Sequence, residues 1–147
     1  MTYSLHVSET KTAQTRKQLV EAFIPHSPHA AALGISIEAL DDDRAVLAMP
    51  FKPELATMGD VVHGGAISTL IDTAATVAAW AVDEVPESPA GATVSLSVNF
   101  TAAARAVDLR AEAEVVRRGR QLSNIEVRAT DPDGKLVAHG IATYKLG

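Results

Sequence analysis

Between His63 and Asp83 the chain carries one ionisable side chain, Asp72, set in a run of Ala, Ile, Leu, Val and Thr. A carboxylate on so apolar a segment has two readings. It can be a structural group, satisfied by Ser or Thr hydroxyls in the core or at an interface. It can also be a reactive group, because a desolvated carboxylate either finds donors or shifts toward acid–base work. Eight positions earlier, where the run begins, stands His63-Gly64-Gly65. Two glycines let a ligand or another chain approach the backbone, and the first N–H groups of a helix have no partner inside it. Their partial positive charge suits a carbonyl oxygen on which negative charge develops. The plainer alternative is an ordinary helix start after a tight turn.

Together the two features say more. Eight residues of helix rise about 12 Å. A base or nucleophile must lie within about 3–3.5 Å of the carbon it serves, or one water away. One helix cannot bring both Gly64 and Asp72 to one carbonyl. Two antiparallel copies, side by side, can pair Gly64 of one chain with Asp72 of the other, so a site built from them lies between subunits.

The elements that must position these residues are readable from period and punctuation. Thr12 or Thr15 caps a short helix through Ile24, with Leu19, Val20 and Phe23 on one side and Pro25 and Pro28 as stops. Ile35 and Ile37, then Ala45, Leu47, Met49 and Phe51, alternate as two strands around the turn-like Asp41-Asp42-Asp43. Pro53 to Asp60 reads as irregular. From Gly64 to Val82 apolar residues lie all round, which marks a helix enclosed by protein on most sides. After a loop over Glu84 to Gly91, Val94, Leu96, Val98 and Phe100 alternate with polar residues, as do Leu109, Ala111, Ala113 and Val115. Arg118-Gly119 reads as a hairpin turn before Ile125, Val127 and Ala129. Asp131-Pro132-Asp133-Gly134 is a second turn, ahead of a final strand ending near Lys145. The fold class is α+β: an antiparallel sheet of about six strands wrapped around one long central helix, with a short N-terminal helix.

Composition narrows the function. At 147 residues the chain forms one domain, read as 12–147 after a polar, flexible Met1–Lys11. There is no cysteine, which excludes a thiolate nucleophile and Cys-held metal. Thirteen basic against eighteen acidic residues, and 4% aromatics, argue against nucleic acid or an anionic membrane as partner. No signal-peptide pattern opens the chain, and Val61–Val82 reads as a buried helix rather than a span, so the expected location is the cytoplasm. His26 and His29 lack a further ligand at metal spacing, and no metal is expected. A Gly-x-Ser-x-Gly elbow is absent, which excludes an α/β-hydrolase triad.

His63-Gly64-Gly65-Ala66 followed by Leu70-Ile71-Asp72-Thr73-Ala74 resembles the signature of hotdog-fold acyl-CoA thioesterases of the phenylacetate-degradation-related (PaaI-like) group. The resemblance continues through Val94–Thr101, Val116–Arg120 and Gly134–Gly140, in order, from about Gly34 to the C-terminus. It implies a hotdog homodimer, possible pairing into a homotetramer, and a CoA thioester bound between subunits with no cofactor. Gly64 would give its N–H to the thioester carbonyl, and Asp72 of the partner would be general base or nucleophile. Ser95 matches a hydroxyl that helps hold the water, and His63 would order the loop, with Gly65 beside it at the substrate. Where the family commonly has an Asn six residues before the His and a Gly three before it, this chain has Thr57 and Asp60, with Gly59 one place early. Arg117, Arg118 and Arg120 surround one turn, either as a solvated hairpin or as a fork for CoA phosphates. The expected activity is hydrolysis of an acyl-CoA. The alternative is a hotdog protein that binds or senses acyl-CoA without turnover. A hotdog hydratase would need an Asp–His acid–base pair, which is not found around Asp72.

Overall fold

The computed structural model describes residues 12–147; the expected flexible segment 1–11 lies outside them. Thr15 caps α1 (Arg16–Phe23) through a capping box with Gln18. The chain then makes a 3-10 turn at Ile24–His26 and a second short helix, α2 (Pro28–Leu33), ended by Gly34 in the left-handed region. Pro28 therefore starts a helix rather than stopping one, since its fixed φ and missing N–H suit the first helical position.

Strands β1 (Ser36–Asp41) and β2 (Arg44–Met49) form a tight hairpin in which Asp43 takes a positive φ. The stretch Pro53–Asp60 read as irregular holds β3 (Ala56–Met58), which pairs with β4 (Val61–Val62) just past it in a two-stranded ribbon. α3 (Gly64–Trp80) follows, then β5 (Gly91–Phe100), β6 (Leu109–Arg118), β7 (Leu122–Thr130) and β8 (Leu136–Leu146). The main sheet is antiparallel in the order β1-β2-β6-β7-β8-β5, so β5 is an edge although it is central in sequence.

This sheet wraps α3, the hotdog arrangement. Leu70, Ile71, Ala74, Ala75, Val77 and Ala78 are fully buried against Leu47, Leu109, Ile125, Val127 and Val137. The approach at β8 is tight, since a Cβ on Gly140 would stand 2.4 Å from the Ile71 side chain. A single methyl there would push helix from sheet.

The helix is not enclosed all round. Ser68, Thr69, Asp72, Thr73 and Thr76 stay half-buried along one stripe turned from the sheet. Ser68, Thr69 and Thr73 return their hydroxyls to the carbonyls of Gly64, Gly65 and Thr69, four residues back, which spends their polarity inside the helix. β5 departs in the same way: Val94, Leu96 and Phe100 are exposed and only Val98 is half-buried against the core. An uncovered apolar edge strand is a site for pairing with another chain.

Candidate active site

The site begins where β4 delivers the chain to α3. The Val62 N–H donates to the Ala104 carbonyl and the His63 N–H to that of Leu55, which fixes the entry. His63 is extended (φ −63°, ψ 133°), and its Nδ1 accepts the Gly65 N–H at 2.7 Å. The His63 carbonyl takes the N–H groups of Ala66 and Ile67. Of the first turn, this leaves the Gly64 N–H without an acceptor among the described residues. Because Nδ1 accepts, the neutral ring carries its proton on Nε2.

Gly65 is required by this cap. A Cβ there would lie 2.8 Å from His63 Nδ1, so Gly65→Ala is expected to displace the imidazole. The cost should be about 1 kcal/mol of unfolding free energy. Urea denaturation checks it, and the cap's share should vanish in a His63→Ala background, where there is no ring to displace.

Asp72 lies two turns further along the half-buried stripe. Thr93, near the start of β5, donates its hydroxyl to Asp72 Oδ1 at 2.7 Å. The resemblance gives Ser95 a hydroxyl that helps hold the water, but the hydroxyl that meets Asp72 is that of Thr93, and the register shows why. Thr93 pairs with Tyr144 and Leu96 with Ala142, both buried on the α3 side, whereas Ser95 pairs with Thr143 on the opposite face. A bulge at Val94 shifts the register, so Thr93, Leu96, Val98 and Phe100 share the helix side. Ser95 points away from Asp72.

The three arginines separate. Arg118 is tied inward: Nε donates to Asp43 at 2.7 Å, with Nη contacts of 3.4 Å to the Ser123 hydroxyl and the Ala78 carbonyl. It ties the hairpin to the end of α3 and is not free to fork a phosphate. Arg117 and Arg120 are exposed around Gly119. In the loop before His63, Thr57 is exposed, Gly59 takes a φ of +58°, and Asp60 pairs with Arg105 at 3.1 Å.

Within one chain, then, a free N–H at one point of α3 and a hydroxyl-held carboxylate two turns away lie on the half-buried side of α3, beside the edge strand β5. The fold is the hotdog fold of thioesterases. The Thioesterase superfamily model matches residues 59–138, more than half of the chain, and the chain belongs to that family. Its sequence is similar to the medium/long-chain acyl-CoA thioesterase YigI of Escherichia coli, at 27% identity over 96% of this chain and all of that one. Among solved structures, a thioesterase family protein from Silicibacter pomeroyi superposes with a TM-score of 0.79 at 30% identity, covering 88% of this chain and 96% of that one. The E. coli PaaI protein of the phenylacetic acid degradation operon shares the fold, with a TM-score of 0.73 at 24% identity, covering 88% and 98%.

Proposed function

We propose that this chain is a cytoplasmic acyl-CoA thioesterase that works as a homodimer, each site built from Gly64 of one subunit and Asp72 of the other. One observation carries the reading: a free donor and a held carboxylate lie on one half-buried helix face, too far apart along it to serve one carbonyl. Two copies related by a two-fold axis juxtapose them twice, since residue i meets residue j and j meets i. The same pairing covers the small, internally satisfied stripe of α3. Joining the β5 edges would also bury Val94 and Leu96.

In the proposed reaction the thioester oxygen accepts the Gly64 N–H, which holds the negative charge as the carbonyl carbon becomes tetrahedral. Asp72 takes a proton from the attacking water, the C–S bond breaks, and that proton passes to the departing CoA thiolate. In the nucleophilic variant Asp72 attacks the carbon itself and the C–S bond breaks to expel the CoA thiolate; water then cleaves the acyl-aspartate anhydride, and the proton this releases goes to the thiolate. Either way acid and CoA thiol leave and the carboxylate is regenerated. The Thr93 hydroxyl orients the carboxylate that does this work. Arg117 and Arg120, exposed around Gly119, are free to meet the nucleotide phosphates of CoA.

Thr93→Val keeps the shape and removes the donor. A hydrogen bond to a charged group contributes enough that kcat should fall about ten- to a hundredfold. Ser95→Ala, on the far face, should stay near the wild-type rate. A thiol-release assay on a panel of acyl-CoAs reads both. Binding of acyl-CoA without release of free CoA would instead favour the sensing protein, and a monomer by light scattering at assay concentration would contradict the shared site.

A further inference from the structure

Thr93 stands on a short stub. The bulge at Val94 separates Gly91, Ala92 and Thr93 from the register of the rest of β5, and the loop before them carries Pro86 and Pro89. The aim of the Thr93 hydroxyl on Asp72 therefore depends on what holds three residues at a sheet edge. Tyr144 of β8 pairs with Thr93, and its side chain is turned to the helix side and buried. The ring passes so close to Gly91 that a Cβ there would stand 2.6 Å from the phenol oxygen and 2.8 Å from a ring carbon. On the α3 side the phenol oxygen accepts the Trp80 Nε1–H at 2.9 Å, two turns along the helix from Asp72. The Arg16 guanidinium stacks on that indole, 5.2 Å from the ring centroid, and donates to the Gly147 carbonyl at 2.7 Å. The Gly147 N–H in turn donates to the Ala90 carbonyl, next to the stub. Burial pushes the Tyr144 phenol up against the opposing Trp80 hydrogen bond, and the Asp72 charge pushes it the same way, so the group stays neutral. A hollow of about 270 Å³ is bordered by Trp80, Gly91 and Tyr144, so packing does not enclose the ring on every side. The contact with Gly91 and the hydrogen bond to Trp80 fix its place. Two rungs thus join β5 to α3: Thr93 to Asp72, and Gly91 through Tyr144 to Trp80.

We propose that Tyr144, tethered by Trp80, is a positioning residue for thioester hydrolysis: the second rung sets the spacing of β5 from α3 and so holds the Thr93 hydroxyl on the Asp72 carboxylate. The assignment rests on the reading of Asp72 as the reacting carboxylate and deepens it. Tyr144 touches neither substrate nor water in this role and acts only through Thr93. Its effect must therefore disappear when the Thr93 hydroxyl is removed.

Two variants disturb the rung from opposite ends. Tyr144→Phe keeps the ring and removes the acceptor of the Trp80 N–H, and Gly91→Ala presses a methyl onto the phenol. Trp80 is the only tryptophan of the chain, so a shift of its emission in Tyr144→Phe confirms that the pair is broken. CoA release from an acyl-CoA is then measured for each variant with Thr93, with Thr93→Ser and with Thr93→Val. With a hydroxyl at position 93, Tyr144→Phe should lower kcat about three- to tenfold, the share of one hydrogen bond, and leave KM within about twofold. Gly91→Ala should act in the same direction. In the Thr93→Val background neither should lower kcat further, because no hydroxyl remains to be aimed. A general structural role would lower kcat by one factor in all three backgrounds, and that result overturns the proposal. So does an unchanged kcat in Tyr144→Phe with the Trp80 emission shifted; if Asp72→Asn and Thr93→Val are slow all the same, the reading of the site stands without this residue. If Asp72→Asn hydrolyses at the wild-type rate, that reading fails first and the positioning role goes with it.

Discussion

Asp72→Asn is expected to lower acyl-CoA hydrolysis by about 10²–10⁴-fold, the range that a positioned acid–base group supplies. The substitution keeps the size of the side chain and leaves Oδ1 able to accept from Thr93, so the contact at 2.7 Å survives while the negative charge is lost. Asp72 is half-buried and bears no ion pair among the described residues, so no structural network falls with it. The loss should therefore appear in kcat, with unfolding free energy changed by less than about 1 kcal/mol. A protein that unfolds at the wild-type urea midpoint yet hydrolyses at the wild-type rate would make Asp72 the structural carboxylate of the alternative reading.

Gly64→Pro should cost about 10²–10³-fold in kcat, the usual effect of removing one oxyanion donor. Proline lacks the very N–H assigned to the thioester oxygen, and the helix loses nothing by it. The first helical position is the one where proline is favoured. The preceding residue must be extended, and His63 already is, with ψ at 133°. The added Cβ would meet the Phe100 ring at 3.3 Å, a contact that an exposed side chain can relieve. Gly64→Ala makes the same contact and keeps the N–H, so it separates the steric effect from the lost donor. It should retain most of the activity. Equal losses in the two variants would remove the oxyanion role.

How far this was legible in the sequence depends on where each residue's partners lie. α3 and β6 could be read because their partners are layered above and below: Leu109, Ala111 and Ala113 alternate with exposed residues and are all fully buried. The Asp131 turn was equally plain, and the Asp131 carboxylate does accept from the N–H groups of Asp133 and Lys135. α2 escaped because proline has opposite meanings at the two ends of a helix. The β3–β4 ribbon is too short to show a period.

In β5 the alternation was real but its meaning was not local. One bulged residue changes the parity, so odd-numbered Thr93 joins even-numbered Leu96 and Val98 on the helix side. Simple alternation picks Ser95 or Thr93 with equal ease. Only the pairing with Tyr144 decides it. Arg118 is a similar case, since Asp43, which claims it, lies 75 positions away and no spacing rule connects them. What the sequence did carry was the interval between Gly64 and Asp72, too long for one carbonyl, and with it the requirement for a second chain in the proposed site.

Mixing two inactive proteins tests that requirement most directly. Gly64→Pro and Asp72→Asn chains are unfolded together, refolded, and assayed for CoA release against each variant refolded alone. If each site takes its donor from one subunit and its carboxylate from the other, every mixed dimer gathers both lesions into one site and leaves its second site whole. Random pairing should then restore roughly a quarter of the wild-type rate. If mixed dimers form and the rate stays at the level of the separate variants, Gly64 and Asp72 do not meet across subunits, and the shared site is wrong.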